Sequence, residues 1–159
     1  MITAATAADL PELANLMTDA DLLRRYRMTS DAALRSLSAA LQAGDILLVA
    51  RADRIAGFAW LSIAPRILNG AAYLRLLLVS EAARGAASGS DLLAAAETSA
   101  RERANHLYLL ATTDNTGGRR FYERHGYQFV GVLQGLVWPD LDEALYHKAL
   151  RTHDQRLST

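Results

Sequence analysis

Residues 79–93, VSEAARGAASGSDLL, constrain the fold more than any other stretch: an apolar run of strand length ends in a turn of small residues that opens a helix. Leu74, Leu76, Leu77, Leu78 and Val79 supply the run. Arg84, Gly85, Ala86, Ala87, Ser88, Gly89 and Ser90 then offer seven successive backbone N–H groups with almost no side-chain bulk. Helix formers follow from Asp91 to Arg103. A helix N-terminus emerging from such a loop is an anion site, because unpaired N–H groups and the helix dipole both favour a phosphate. Arg84 at its lip would add a bidentate donor. An ordinary strand-to-helix turn, with Ala and Gly chosen for tight packing, has the same composition, so the loop leaves both roles open.

The rest of the chain supplies the frame for that turn. Leu10, Leu13, Ala14 and Met17 recur at helical spacing over Ala7–Met17, with Asp9 and Pro11 suited to a first turn. Thr29-Ser30-Asp31 caps a second helix over Ala32–Ala43, which Gly44 closes. Ile46–Arg51 and Ile55–Ile63 read as strands joined by Ala52-Asp53-Arg54, and Ala72–Val79 as a third strand. The predicted order continues as helix Gly89–Ala104, strand Leu107–Thr112, helix Thr116–His125 and strands Tyr127–Leu133 and Glu143–Leu150. A β-rich half running into βαβαβ predicts an α/β fold, a mixed sheet with helices on both faces. One domain over residues 1–150 with a polar tail at 151–159 suits a chain of 159 residues.

A second segment, Asn115 to Gly131, reads NTGGRRFYERHGYQFVG: a capping residue, a short helix, Gly126 as its stop, and a strand. The two segments together resemble the GNAT superfamily of acyl-CoA-dependent N-acetyltransferases. That family pairs an R/Q-x-x-G-x-G/A pyrophosphate loop with a later N-x-x-(small)-x-x-F-Y-E-x-x-G-(F/Y) helix. Here these are Arg84-Gly85-Ala86-Ala87-Ser88-Gly89 and Asn115…Gly118…Phe121-Tyr122-Glu123…Gly126-Tyr127, with Ala87 where the family usually has Gly. The resemblance spans nearly the whole chain and implies a mostly antiparallel central sheet flanked by helices on both faces.

It also implies a chemistry, acetyl transfer from acetyl-CoA to a primary amine of a small molecule or peptide in a ternary complex. By position, Leu77, Leu78 and Val79 would pair with the pantetheine arm, and Arg84, Gly85, Ala86, Ala87, Gly89 and Ser90 would cradle the pyrophosphate. Asp91 departs from this plan, since a carboxylate there repels phosphate unless it points to solvent as a partner of the helix dipole. Tyr122 falls where the family often has its general acid. A phenol of pKa ~10 matches a departing thiolate of similar basicity, although a tyrosine beside Phe121 on an apolar stripe is equally a core residue. Asn115 reads as an N-cap and, by resemblance, as a contact to pantetheine; Phe121 packs near the cofactor. Arg119, Arg120 and Arg124 read as a solvated basic face, with Arg124 in reach of an adenosine 3′-phosphate. Catalytic impairment, leaving a domain that binds CoA for regulation, is the rival expectation, and Ala87 and Asp91 are its support.

Acceptor selection in such a fold falls to residues 22–28, with Arg24, Arg25 and Tyr26, and to a loop at 137–143, with Trp138, Asp140 and Asp142. The acidic group suits a cationic amine and the arginines a carboxylate-bearing one, so the acceptor stays open. Glu81, Asp114, Asp140, Asp142, Glu143 and the 4 histidines are all available as a base, and none sits in a defining motif. The histidines lack metal-ligand spacing, so no metal is expected. Lys+Arg and Asp+Glu number 17 each, without the basic excess that nucleic-acid binding demands. No Cys is present, which excludes disulfides and thiolate chemistry. No apolar run approaches membrane-spanning length and the start lacks a basic leader region, so a cytoplasmic protein without membrane contact is expected. The last strand, with Leu133, Leu136, Val137 and Trp138 before it, is expected either to mediate a homodimer or to close over the protein's own cleft.

Overall fold

The computed structural model describes residues 1–64, 68, 70–83 and 88–150. Its strands are β1 (Ile2–Ala4), β2 (Ile46–Arg51), β3 (Ile55–Ala64), β4 (Ala71–Val79), β5 (His106–Thr112), β6 (Gln128–Trp138) and β7 (Leu141–Ala149). The α-helices are α1 (Leu10–Asp19), α2 (Asp21–Arg24), α3 (Ser30–Ala43), α4 (Ser88–Arg101) and α5 (Thr116–Arg124). Hydrogen bonding links the strands in the order β1-β2-β3-β4-β5-β7-β6. The β1–β2, β2–β3, β5–β7 and β6–β7 pairs are antiparallel and the β4–β5 pair is parallel. This is the mixed α/β, mostly antiparallel fold the resemblance implies.

Contacts divide the chain into two compact units, Met1–Ser62 with Arg75–Ser99, and Ile63–Leu74 with the chain from Ala100 onward. In the first unit, Leu10, Leu13, Ala14 and Met17 of α1 and Ala33, Leu37 and Ala40 of α3 are buried with Leu47, Val49, Phe58 and Trp60. Periodicity explains the match: the helical residues recur every three or four positions, and the strand residues every two. The Thr29 hydroxyl accepts the Ala32 N–H at 3.3 Å, and Gly44 closes α3. Asp9 ties the start of α1 to the strands. Its carboxylate accepts the Thr6 N–H at 2.8 Å, the Thr6 hydroxyl at 2.9 Å and the Arg51 guanidinium at 2.7 Å. The backbone bond from Thr6 and the Arg51 bond hold its pKa below the ordinary carboxylate value.

In the second unit, β5 is paired with β7 along its whole length, from His106↔Ala149 to Thr112↔Glu143. The β4–β5 pairing is much shorter. It covers Ala71↔His106 to Leu74↔Leu109, while β4 itself runs on to Val79.

Two expectations are corrected here. Residues 134–138 are strand rather than connection, because β6 continues past Leu133 to Trp138 and its register resumes at Trp138↔Leu141. Gly135 absorbs the irregularity with a φ of 55°, a value that costs glycine nothing. Its N–H is held by Asp142 Oδ1 at 3.1 Å. The expected loop at 137–143 therefore shrinks to a tight turn at Pro139-Asp140, where the proline ring presets the backbone. The short β1, with three residues and no period to read, is a strand the sequence did not announce; it pairs Ile2↔Ala50 on β2.

Candidate active site

Tyr122 sits on α5, and the local sequence explains the helix. Asn115 Oδ1 accepts the Gly118 N–H at 3.0 Å, which caps the N-terminus. A Cβ on Gly118 would lie 2.5 Å from Asn115 Nδ2, so the cap itself demands the small residue at this position. At the other end His125 N–H bonds Phe121 O and Tyr122 O, and Gly126 N–H bonds Glu123 O. Both expected ends of the helix are in place. The N-cap role of Asn115 is thus observed.

Tyr122 is half-buried and surrounded by rings. Phe121 lies edge-on at 5.4 Å, Tyr127 edge-on at 5.7 Å, and Tyr146 tilted at 6.5 Å. Burial first, and the Tyr73 phenol second, push the Tyr122 pKa well above the ordinary tyrosine value. The hydroxyl therefore keeps its proton throughout the neutral range and is a weaker acid than the ordinary phenol matched above to a departing thiolate. Phe121 is half-buried and stacks on His125 at 4.3 Å.

The expected solvated arginine face divides. Arg120 and Arg124 are exposed. Arg119 is not part of that face: its Nε donates to Tyr146 Oη at 2.9 Å and its Nη1 to Thr113 O at 3.0 Å. The Tyr146 hydroxyl in turn donates to Glu123 Oε1 at 2.7 Å. Spacing on α5 alone could not show this, because the partner is a fully buried tyrosine on β7. The one available signal was a polar-capable ring at an inward position of a terminal strand.

The first unit holds the other expected cofactor contacts. Leu77, Leu78 and Val79 end β4, beyond the Leu74↔Leu109 pair at which the pairing with β5 ends. Gly57 on β3 permits their placement. A Cβ there would collide with Leu78 O and stand 3.0 Å from Val79 Cα, and Ser80 N–H bonds Ala56 O at 2.8 Å just beyond. A glycine within an apolar strand was the sequence signal for such a close approach. Gly89 and Ser90 lie in the first turn of α4, and Asp91 there is exposed. Arg84, Gly85, Ala86 and Ala87 lie outside the described residues.

Of the acceptor-side candidates, Arg24 is exposed and paired with Asp21 at 3.0 Å. Arg25 is exposed, and Tyr26 packs on the core of the first unit. Trp138 is half-buried beside the Pro139 turn, where Asp140 is exposed. Asp142 is occupied with the Gly135 N–H. The structure also brings together two histidines that lie far apart in sequence. His106 Nδ1 and His147 Nε2 are 3.0 Å apart, and burial and His106 lower the His147 pKa. Among the described residues no group of three potential metal ligands occurs, and no helix is long and apolar enough to cross a membrane.

No curated protein sequence matches the chain. Solved structures do. A ribosomal-protein-alanine N-acetyltransferase from Brucella melitensis superposes with a TM-score of 0.78 at 22% identity, over 94% of this chain and 99% of its own. An aminoglycoside 6′-N-acetyltransferase complexed with coenzyme A gives 0.74 at 20% identity, over 96% and 98%. An N-acetyltransferase from Staphylococcus aureus Mu50 gives 0.76 at 19% identity, over 95% and 98%. These likenesses establish the fold. The family model described as Acetyltransferase (GNAT) family matches residues 11–127, and with most of the chain inside that span, this protein belongs to the GNAT acetyltransferase family.

Proposed function

We propose that residues 1–150 act as one domain that transfers an acetyl group from acetyl-CoA to a primary amine of a small molecule or peptide within a ternary complex. The observation that carries this reading is the way β4 outruns its pairing with β5 after Leu74. Main-chain N–H and C=O groups of Leu77, Leu78 and Val79 suit the amides of a pantetheine arm, as a strand edge suits an added strand. Bound acetyl-CoA supplies the activated acyl thioester. Arg84, Gly85, Ala86, Ala87, Gly89 and Ser90 hold the pyrophosphate in this reading, Gly89 and Ser90 through backbone N–H groups in the first turn of α4. By the family resemblance, Asn115 and Phe121 would contact the arm, and Arg124, which is exposed, would meet the 3′-phosphate.

Tyr122 is the general acid. As the amine nitrogen bonds to the acyl carbon and the carbon–sulfur bond breaks, the Tyr122 hydroxyl gives its proton to the departing sulfur. The amine's own proton leaves to solvent. Arg24, Arg25, Tyr26, Trp138 and Asp140 select the acceptor in this reading.

Thermal unfolding tests the cofactor. At about 100-fold excess over its Kd, acetyl-CoA is expected to raise Tm by about 5–10 °C, because it binds only the native state. Gly89→Glu is expected to remove that shift by setting bulk and negative charge at the phosphates. No shift in the parent protein at millimolar acetyl-CoA rejects the assignment. Release of free CoA thiol across an amine panel then separates turnover from binding alone.

We also propose that the chain forms a two-fold homodimer through β6 and β7. Phe129, Val130, Val132, Leu133, Leu136 and Val137 of β6 are all exposed, more apolar surface than one strand of a monomer ordinarily leaves in water. An isologous contact needs only this one patch. Light scattering at micromolar concentration is expected to give twice 17.3 kDa; a mass of 17.3 kDa rejects the dimer.

A further inference from the structure

Helix α5 has no buried residue and spans only 9 residues, too few to be stable unaided. Its apolar contacts are the partly buried rings of Phe121 and Tyr122, without the fully buried residues that fix α1 and α3. Polar bonds from β7 add to them. Tyr146 reaches its middle, and Lys148 Nζ donates to His125 O at 2.7 Å at its end.

We propose that Arg119, Tyr146 and Glu123 form a polar lock that sets the rotation of α5 and so positions Tyr122 for proton transfer. This rests on the acid role proposed above for Tyr122. The lock has one possible polarity. Arg119 can only donate and an ionised Glu123 can only accept, so the single Tyr146 proton must point to Glu123. Each bond is charge-assisted, and the hydroxyl between the two is polarised from both sides. Burial keeps the Tyr146 hydroxyl protonated, as that polarity requires.

Geometry makes the lock sensitive to rotation. Arg119 and Glu123 are four residues apart, on one face of the helix, and both engage the same oxygen. The second arm of the Arg119 fork holds Thr113 O, which fixes the turn that delivers Asn115. Turning α5 about its axis would break all of these bonds at once. Tyr122 is the neighbour of Glu123, so its hydroxyl moves with that face. Arg119, Tyr146 and Glu123 are positioning residues; none of them is required to touch substrate.

A double-mutant cycle separates this from simple packing. Tyr146→Phe keeps the ring and removes the hydroxyl. It is expected to lower kcat by about 10-fold or more, as small displacements of a catalytic group do, with KM for acetyl-CoA nearly unchanged. In a Tyr122→Phe background the same change is expected to cost less than about twofold, since the group being positioned is gone. Equal losses in both backgrounds, or parental kcat in Tyr146→Phe, overturn the lock while leaving the acid role intact. Parental turnover in Tyr122→Phe itself overturns both. Should Tyr146→Phe not fold, Arg119→Lys keeps the charge, loses the fork, and enters the same cycle with the same expected outcomes.

Discussion

Replacing Tyr122 by Phe is expected to lower turnover by about 10²-fold or more while leaving affinity for acetyl-CoA almost unchanged. The aromatic ring keeps its edge contacts with Phe121 and Tyr127 in that variant; only the hydroxyl is removed. Steady-state kinetics with free thiol detection gives the result directly. Near-parental turnover on a true acceptor means that Tyr122 is a packing residue. The pH dependence provides a second check. Because the folded-state pKa of Tyr122 is raised, the acid form persists through the neutral range, and no alkaline limb from this group is expected below about pH 10. The same shift has a sign for stability. The fold holds this proton more tightly than the unfolded chain. Its contribution is complete below the ordinary phenol pKa of about 10 and declines as pH rises through the higher folded value.

Gly57→Val is expected to lower both the stability of the first unit and the use of acetyl-CoA. The new side chain would meet main-chain atoms, Leu78 O and Val79 Cα, neither of which can rotate away as a side chain can. Relief requires β3 and β4 to separate at the very residues proposed to bind pantetheine. Overpacking of this kind costs about 1–3 kcal/mol, or about 3–10 °C in Tm for a chain of this size. Displacement of the β4 backbone is expected to lower kcat/KM for acetyl-CoA by about 10-fold or more in addition. Gly131→Val on β6 is the matched control, because a Cβ there has nothing within 4 Å. If the two variants show the same Tm and the same acetyl-CoA dependence, close approach to β4 is not the reason for glycine at position 57.

Helix boundaries were legible in the sequence to the extent that their causes are local. Thr29 and Gly44 bracket α3 because a cap needs only a side-chain oxygen, or a left-handed residue, within a few positions. Asn115 and Gly126 bracket α5 for the same reason. The buried faces of α1 and α3 followed from spacing, since a period near four puts Leu10, Leu13 and Met17 on one side. The β6–β7 connection was misjudged because no breaker separates Leu133 from Trp138 except Gly135, and a glycine can bulge a strand without ending it.

By itself the sequence determined the family of the fold, the order of its long elements, and the residue types in the Asn115–Tyr127 motif, since each depends on neighbours a few positions away. Tertiary structure decided what those residues touch. Arg119 looks like its neighbours Arg120 and Arg124 along the helix, yet it alone of the three meets Tyr146, 27 residues further on. His106 and His147 are joined across 41 residues, and Gly57 matters because of a carbonyl on β4. Contacts of this range depend on strand register and on the rotation of a short helix. Neither has a local code: register is set by pairing between distant segments, and the rotation of α5 is held by bonds that exist only once β7 is in place.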